Sequence, residues 1–467
     1  MSWRNLIWLS IILCLAGLAL YLSRRRQAVA RPGEAAVNDL AAVVQAYKVI
    51  QKHSYYPLPA AKAGRGGIEG MVRQVDRFST YIPPGKVESF HQRVERGELK
   101  ETGLRLAVEA GRTVIVGLLH GSPAKNEFLA GMEVLAIDGV AADDLALQQA
   151  REMVATPASG KVSLRLVGRD GLPFVKEIES ITFEAETVTG IVRDESGKWV
   201  HALDKAGRFH YLRIGEFVRD KTPARLHEVY CQLDDPEGLV LDLRDNPGGG
   251  IRPAAEVADR FLTAGLIVRT VRRNGKPDVR HAHAAGTYPT LPLVVLIDGG
   301  TASGAEIVAG ALQVHGRAVL VGQPSLGKWW LQESRSVGPG LGEIYLTVAE
   351  CFLAEPEPAG PSPQTASSAP LAKRRDRPGV LPDVPVEISP AAREQLQELR
   401  LRALVIAPPK ERPGAVRPAG GLARPADLKR SILKLDAQLA RALELLRAKR
   451  VPIARSAGSR KRSLPAQ

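Results

Sequence analysis

The chain has 467 residues, 45% of them apolar, enough for two or three domains with cores of their own. Its net charge of +14 is unevenly placed: Arg24-Arg25-Arg26, Lys373-Arg374-Arg375 and Arg460-Lys461-Arg462 lie outside the stretches that read as folded, as solubilising tails do. No zinc-ligand spacing, RNP-type motif or aromatic-basic interleaving argues for a metal or a nucleic acid, and three cysteines (Cys14, Cys231, Cys351) exclude a disulfide scaffold.

Residues 6–22 form an almost unbroken apolar stretch, just long enough to span a membrane. Ala28-Val29-Ala30 is the nearest small-x-small site, and Arg31-Pro32 directly after it is a poor context for cleavage. We therefore expect an uncleaved signal anchor over 1–26. Arg4 precedes the span and three arginines follow it, so charge alone does not place the bulk of the chain outside the cytoplasm.

Residues 36–98 read as helical, with Leu40, Val43, Val44, Tyr47 and Ile50 at helical spacing, then Ile68, Met71, Val72 and Val75. Short strands take over across 101–183, around one helical stretch at 145–153. Strands and helices alternate over 185–390, which predicts a layered α/β core. The strand Gly238-Leu239-Val240-Leu241-Asp242-Leu243-Arg244 runs into Asp245-Asn246-Pro247-Gly248-Gly249-Gly250, and a second strand at 291–297 leads to Gly300-Thr301-Ala302-Ser303. Residues 355–380 read as a disordered insert rich in Pro, Ala and Ser. A helical, basic extension follows over 391–467: a helix at 391–404, a Pro-rich linker near 408–425, one amphipathic helix at 428–448 and a disordered tail.

A serine at a strand-to-helix turn attacks a carbonyl only if a neighbouring group takes its proton. Lys328, within Gly327-Lys328-Trp329-Trp330-Leu331-Gln332, is suited to that role because tryptophans flank it and no carboxylate stands between Gly316 and Gln332. Gln332 orients the amine without adding negative charge, the Gly304 amide opens a helix beside the nucleophile, and the Gly248-Gly249 turn supplies a second backbone donor for an oxyanion. A lone serine at such a junction is more often a helix cap, so the reading rests on the set.

Two resemblances attach to these residues. Gly103-Leu104-Arg105-Leu106, with Gly121-Ser122-Pro123-Ala124 and Gly131-Met132-Glu133-Val134-Leu135-Ala136-Ile137-Asp138-Gly139, resembles a PDZ domain, which implies capture of an extended C-terminal tail as an added strand. Arg105 stands where the PDZ domains of bacterial proteases, which this segment resembles, usually have glycine. Leu241-Asp242-Leu243-Arg244-Asp245-Asn246-Pro247-Gly248-Gly249, Gly300-Thr301-Ala302-Ser303, Gly310-Ala311-Leu312-Gln313 and Gly327-Lys328 with Gln332 resemble the C-terminal processing (tail-specific) proteases. That resemblance implies a crotonase/ClpP-like catalytic core over 185–390 and a Ser-Lys dyad of Ser303 and Lys328, with Gln332 as its partner. It also implies an oxyanion site from Gly304 and one of Gly248 or Gly249, and no cofactor or metal.

The expected protein is thus a membrane-anchored, extracytoplasmic (periplasmic-side) serine endopeptidase acting on proteins with free C-terminal tails, with homo-oligomerisation left open. A catalytically silent PDZ adaptor is the alternative, and an acyl-transforming enzyme of the crotonase type a third. Trp329, where the family commonly has glycine, and Gly304-Ala305, where it has Ala-Ser, are the departures nearest the dyad.

Overall fold

The computed structural model describes residues 34–122, 129–168, 170–273, 275–288, 290–354, 377–406 and 424–451, with side chains from residue 41 onward. The apolar span at 6–22, the three basic clusters, Pro123-Ala124, residues 355–376 of the insert, nearly all of the linker and the tail from 452 lie outside the described residues. Among the described residues no helix is long and apolar enough to cross a membrane. The chain divides into two compact units, parted between Pro83 and Pro84.

In the first unit, helices α1 (Glu34–His53) and α2 (Ala60–Val75) precede the strand β1 (Thr80–Ile82). Asp76 ends α2: its Oδ1 accepts from the amides of Phe78 and Ser79, both at 2.7 Å, an Asx-type turn. Val72 of the second apolar stripe is buried, whereas Val43 and Val44 of the first are exposed.

The second unit opens with α3 (Val87–Val94) and β2 (Glu98–Glu101). There follow β3 (Leu104–Glu109), β4 (Arg112–Leu118), β5 (Val134–Ile137), β6 (Val140–Ala141), helix α4 (Leu147–Ala155), β7 (Lys161–Val167), β8 (Pro173–Glu179) and β9 (Ile181–Glu184). The strands pair as the hairpin β3–β4, the antiparallel sheet β6-β5-β7-β8 and the pair β2–β9. In β7 the buried Val162, Leu164 and Leu166 alternate with more exposed residues, the period of a strand packed on one face. They share a core with Leu104, Leu106 and Ile115, and α4 adds Ala150 and Val154.

The remaining strands are β10 (Val188–Thr189), β11 (Val192–Arg193), β12 (Trp199–Val200), β13 (Phe209–Ile214), β14 (Gly238–Asp242), β15 (Leu266–Arg272), β16 (Asp278–His281), β17 (Leu293–Ile297), β18 (Val319–Gly322), β19 (Trp330–Ser336), β20 (Glu343–Phe352) and β21 (Val384–Pro385). Helices α5 (Lys221–Cys231), α6 (Ile251–Asp259), α7 (Gly304–Val314), α8 (Pro390–Leu404), α9 (Pro425–Leu435) and α10 (Ala437–Arg447) intervene or follow. A six-stranded sheet runs β10-β13-β14-β17-β18-β21, parallel from β13 onward. Every residue of β14 and β17 is buried, as continuous apolar runs require in a parallel sheet covered on both faces. One face packs on α5, α6 and α7 around Phe261, Leu241 and Leu312. The other packs Val240, Val294 and Val321 against Leu428, Ile432, Leu439 and Leu446, so α9 and α10 form a layer of the core.

The sequence predicts one helix over 428–448; the chain breaks it at Asp436. There the backbone leaves helical geometry (φ −86, ψ 88) and the side chain caps α10, accepting from the Leu439 amide at 3.0 Å.

Candidate active site

Because β14 and β17 are parallel neighbours, the turns beyond their C-terminal ends meet at one edge of the sheet. Ser303 sits there at φ 53, ψ −116, a conformation that costs a non-glycine residue on the order of 1–3 kcal/mol and persists only where packing over-determines it. Gly248 (φ 106) supplies that packing: a Cβ on it would lie 2.7 Å from Ser303 Cβ, 2.8 Å from Ala302 O and 2.9 Å from Gly304 N. Only glycine fits. Phe217 closes the turn from the far side, its amide donating to Gly248 O at 2.8 Å and its carbonyl accepting from Gly250 N at 2.9 Å. The Gly248 amide itself donates to Asn246 Oδ1 at 2.8 Å, and the Asn246 carbonyl accepts from Ala302 N at 2.9 Å.

Lys328 reaches the same place through a residue to which the sequence reading gave no role. Glu306, fully buried on the first turn of α7, accepts from Ser303 N at 2.8 Å and Lys328 N at 2.7 Å on one oxygen, Oε2. The two amide nitrogens are therefore separated by at most 2.8 + 2.7 = 5.5 Å. Its Oε1 accepts from Gly327 N at 2.7 Å and Ser325 Oγ at 2.5 Å. A carboxylate thus does stand beside the Lys328 loop. It arrives from another element, and four donors saturate it. The pattern Ser303-x-x-Glu306 is a capping-box signature, the one local signal that could have drawn attention to it.

Trp329 turns away from the cleft into the core, 4% exposed, and donates from Nε1 to Pro378 O at 3.0 Å. Gln332, buried on β19, donates from Nε2 to Thr347 Oγ1 on β20 at 3.1 Å, which leaves its carbonyl oxygen as the group it offers elsewhere.

Two further carboxylate systems fix the turns. Asp298 Oδ1 accepts from Asp245 N and Gly300 N, each at 3.0 Å, tying the two turns together. Behind them Arg244, buried at 2% exposure, is held by Asp242 and Asp436, with Arg400 bridging Asp242, Asp245 and Asp436 at 3.4–3.5 Å. Burial works against the Asp242 charge, yet the Arg244, Arg400 and Arg213 guanidiniums outweigh it and hold the carboxyl far below the usual range. Asp436 is likewise lowered, burial opposing and Arg244 prevailing. Nothing local in the sequence connects residue 244 to residue 436.

The loop Gly103-Leu104-Arg105-Leu106 lies at the start of β3. Arg105 folds back, donating to Leu104 O and Glu101 Oε1, both at 2.9 Å. Arg151 of α4 donates from Nε to Leu106 O at 2.8 Å. Among the described residues no group of three or more His, Cys, Asp or Glu is placed to hold a metal ion.

The model of peptidase family S41 matches residues 208–357. A carboxyl-terminal-processing protease of Synechocystis is 31% identical over 309 residues, 64% of this chain and 69% of the relative. A carboxy-terminal-processing protease of Bartonella bacilliformis is 31% identical over 328 residues, 68% of each chain. Among solved structures, a photosystem II D1 C-terminal processing protease aligns over 79% of this chain and 98% of its own, at 22% identity and a TM-score of 0.40. The family model and the two sequence relatives define a serine-type peptidase. The chain belongs to peptidase family S41, the C-terminal processing proteases.

Proposed function

We propose that this chain is a serine endopeptidase that captures C-terminal tails of protein substrates and hydrolyses peptide bonds with a Ser303–Lys328 dyad. The observation that carries the reading is the shared Glu306 oxygen, which ties the nucleophile's amide to the base's amide while Gly248 abuts the Ser303 side chain. Ser303 Oγ attacks the substrate carbonyl carbon and its proton passes to the neutral Lys328 amine. The carbonyl oxygen becomes an oxyanion, stabilised by the amide of Gly304 at the N-terminus of α7 and by that of Gly249. Gly249 is preferred over Gly248 because the Gly248 amide is committed to Asn246. Collapse expels the amine, which takes the proton from Lys328 and leaves an acyl-serine. Water then attacks the acyl carbon, giving up its proton to Lys328, and as the acyl C–O bond breaks Lys328 returns that proton to Ser303 Oγ, releasing the acid product and restoring the neutral amine. Gln332 presents its carbonyl oxygen to the lysine, since its amide nitrogen is committed to Thr347.

The segment 101–183 acts as the tail-binding PDZ module in this reading, with Gly103, Leu104, Arg105 and Leu106 lining the loop. An incoming strand would take the Leu106 carbonyl from Arg151. Residues 6–22 anchor the chain in the membrane with the catalytic part on the extracytoplasmic side. The test uses unstructured proteins that differ only in their last few residues, with fragments read by mass spectrometry. Cleavage should depend on the tail and vanish in Ser303→Ala and Lys328→Ala. Persistence of cleavage in either variant refutes the dyad, and tail-independent cutting refutes the module's role.

A further inference from the structure

The Arg244 guanidinium uses both of its edges. Nε and Nη2 donate to Asp242 at 2.9 and 2.6 Å, while Nη1 and Nη2 donate to Asp436 at 2.9 and 2.8 Å. Nη1 also donates to Gln438 Oε1 at 2.9 Å. Asp242 ends β14, two residues before Arg244; Asp436 and Gln438 lie 192 and 194 residues further along. They also lie beyond the segment matched by the family model, which ends at 357, by 436 − 357 = 79 residues for Asp436. The break between α9 and α10 falls at this residue. Both helices continue burying apolar residues in the same core, so burial does not require it. What the break achieves is to aim one capping carboxylate at Arg244.

Arg244 begins the turn that ends against the nucleophile. Its carbonyl accepts from Arg213 Nη2 at 2.9 Å, Asp245 follows at φ 55, and Asn246 then holds the Gly248 amide. Each residue from 244 to 248 is thus fixed by a bond or a restricted torsion, and a shift of the Arg244 side chain has no flexible stretch in which to dissipate. Loss of Asp436 would leave that edge of the buried fork with the neutral Gln438 Oε1 as its acceptor and no carboxylate of its own, and the fork would shift toward Asp242.

We propose that Asp436 is a positioning residue for peptide hydrolysis: through Arg244 it sets the turn that holds Gly249 beside Ser303. The proposal rests on the reading that this turn supplies an oxyanion donor. It assigns part of the catalytic precision to the last helix pair of the core.

The test uses the full chain and the variants Asp436→Asn and Gln438→Met, with a peptide ending in an aldehyde and the same peptide ending in an alcohol. The aldehyde accepts Ser303 Oγ at its carbonyl carbon and leaves an oxyanion to be bound; the alcohol forms no such adduct. Asp436→Asn should lower kcat by about ten- to a hundredfold, keep KM within about threefold, and weaken aldehyde binding in proportion while alcohol binding stays as in the wild type. Gln438→Met, which keeps the side-chain volume and removes one acceptor of Arg244 together with the donor to Val386 O, should show the same pattern at about three- to tenfold. Wild-type kcat in a folded Asp436→Asn, or equal losses for aldehyde and alcohol, overturns the proposal. Should Asp436→Asn fail to fold, Gln438→Met decides by the same criteria. Equal binding of the two peptides to the wild type overturns the oxyanion reading itself, and this proposal with it, before any variant is compared.

Discussion

Replacing Glu306 by glutamine probes most directly the tie between the Ser303 and Lys328 amides. The side chain keeps its shape, but one of its two oxygens becomes an NH2. Turned toward Ser303 and Lys328, that NH2 would oppose two backbone N–H groups. Turned the other way it opposes only the Gly327 amide, because the Ser325 hydroxyl can accept as well as donate. Ser325 Oγ already accepts from Val380 N at 2.6 Å, and one lone pair remains. The second orientation is therefore favoured. It leaves one buried N–H unsatisfied, about 1–3 kcal/mol, and converts the Ser303 and Lys328 bonds from charge-assisted to neutral, about 0.5–1 kcal/mol each. Urea unfolding of Glu306→Gln should show a loss of about 2–5 kcal/mol. Single-turnover cleavage should slow at least about tenfold, since a displacement of about 1 Å at a reacting group costs on the order of a hundredfold. Glu306→Ala, which strips all four bonds, should be worse on both counts. A Glu306→Gln protein within about 0.5 kcal/mol of the wild type and equally fast would refute the assigned function of this carboxylate.

Gly248→Ala places a methyl group 2.7 Å from Ser303 Cβ at a positive φ, so cleavage should fall by about a hundredfold or more while tail-peptide binding, read by calorimetry, is retained. The pH dependence of stability should carry two opposed contributions. Burial lowers the His91 pKa, but the hydrogen bonds its imidazolium donates to Glu343 and Glu95 outweigh it and raise the net value, so the contact of α3 with β20 is strongest below about pH 6.5 and is lost as pH rises through the folded-state value. His91→Gln should remove that slope in urea titrations. His201 and His210 are shifted the other way by burial, neutral in the fold, so their contribution is present above about pH 6.5 and lost as pH falls through the lower folded-state values. His210→Phe should flatten the acid limb, and an unchanged acid limb would remove His210 from the account.

What the sequence makes legible here is what neighbours in the chain decide. The continuous apolar runs of β14 and β17 identify buried parallel strands, and the glycine turn beside them is visible because Gly248 has no room for a side chain. The capping-box spacing of Ser303 and Glu306 was present, but the other donors to that carboxylate come from residues 325, 327 and 328, which only the closed fold brings back. Reading the lysine's surroundings from its own segment missed the carboxylate for the same reason. Trp329 was ambiguous because an aromatic next to a polar residue fits core and cleft alike; its indole bond to Pro378 O decides for the core. The apolar period at 428–448 continues through Asp436, so the sequence alone predicts an unbroken helix; the partner of Asp436 sits in a turn 192 residues earlier.

That separation bears on how the protein is made. A ribosome delivers Arg244, Ser303 and Lys328 well before Asp436, and for the time it takes to add those last residues the Arg244 fork has only its Asp242 edge satisfied. The nascent chain carries Ser303 and Lys328 while the turn at 244–248 still lacks its fastening to Asp436. On the proposal that Asp436 positions this turn, hydrolysis is held back until the last helix pair joins the core.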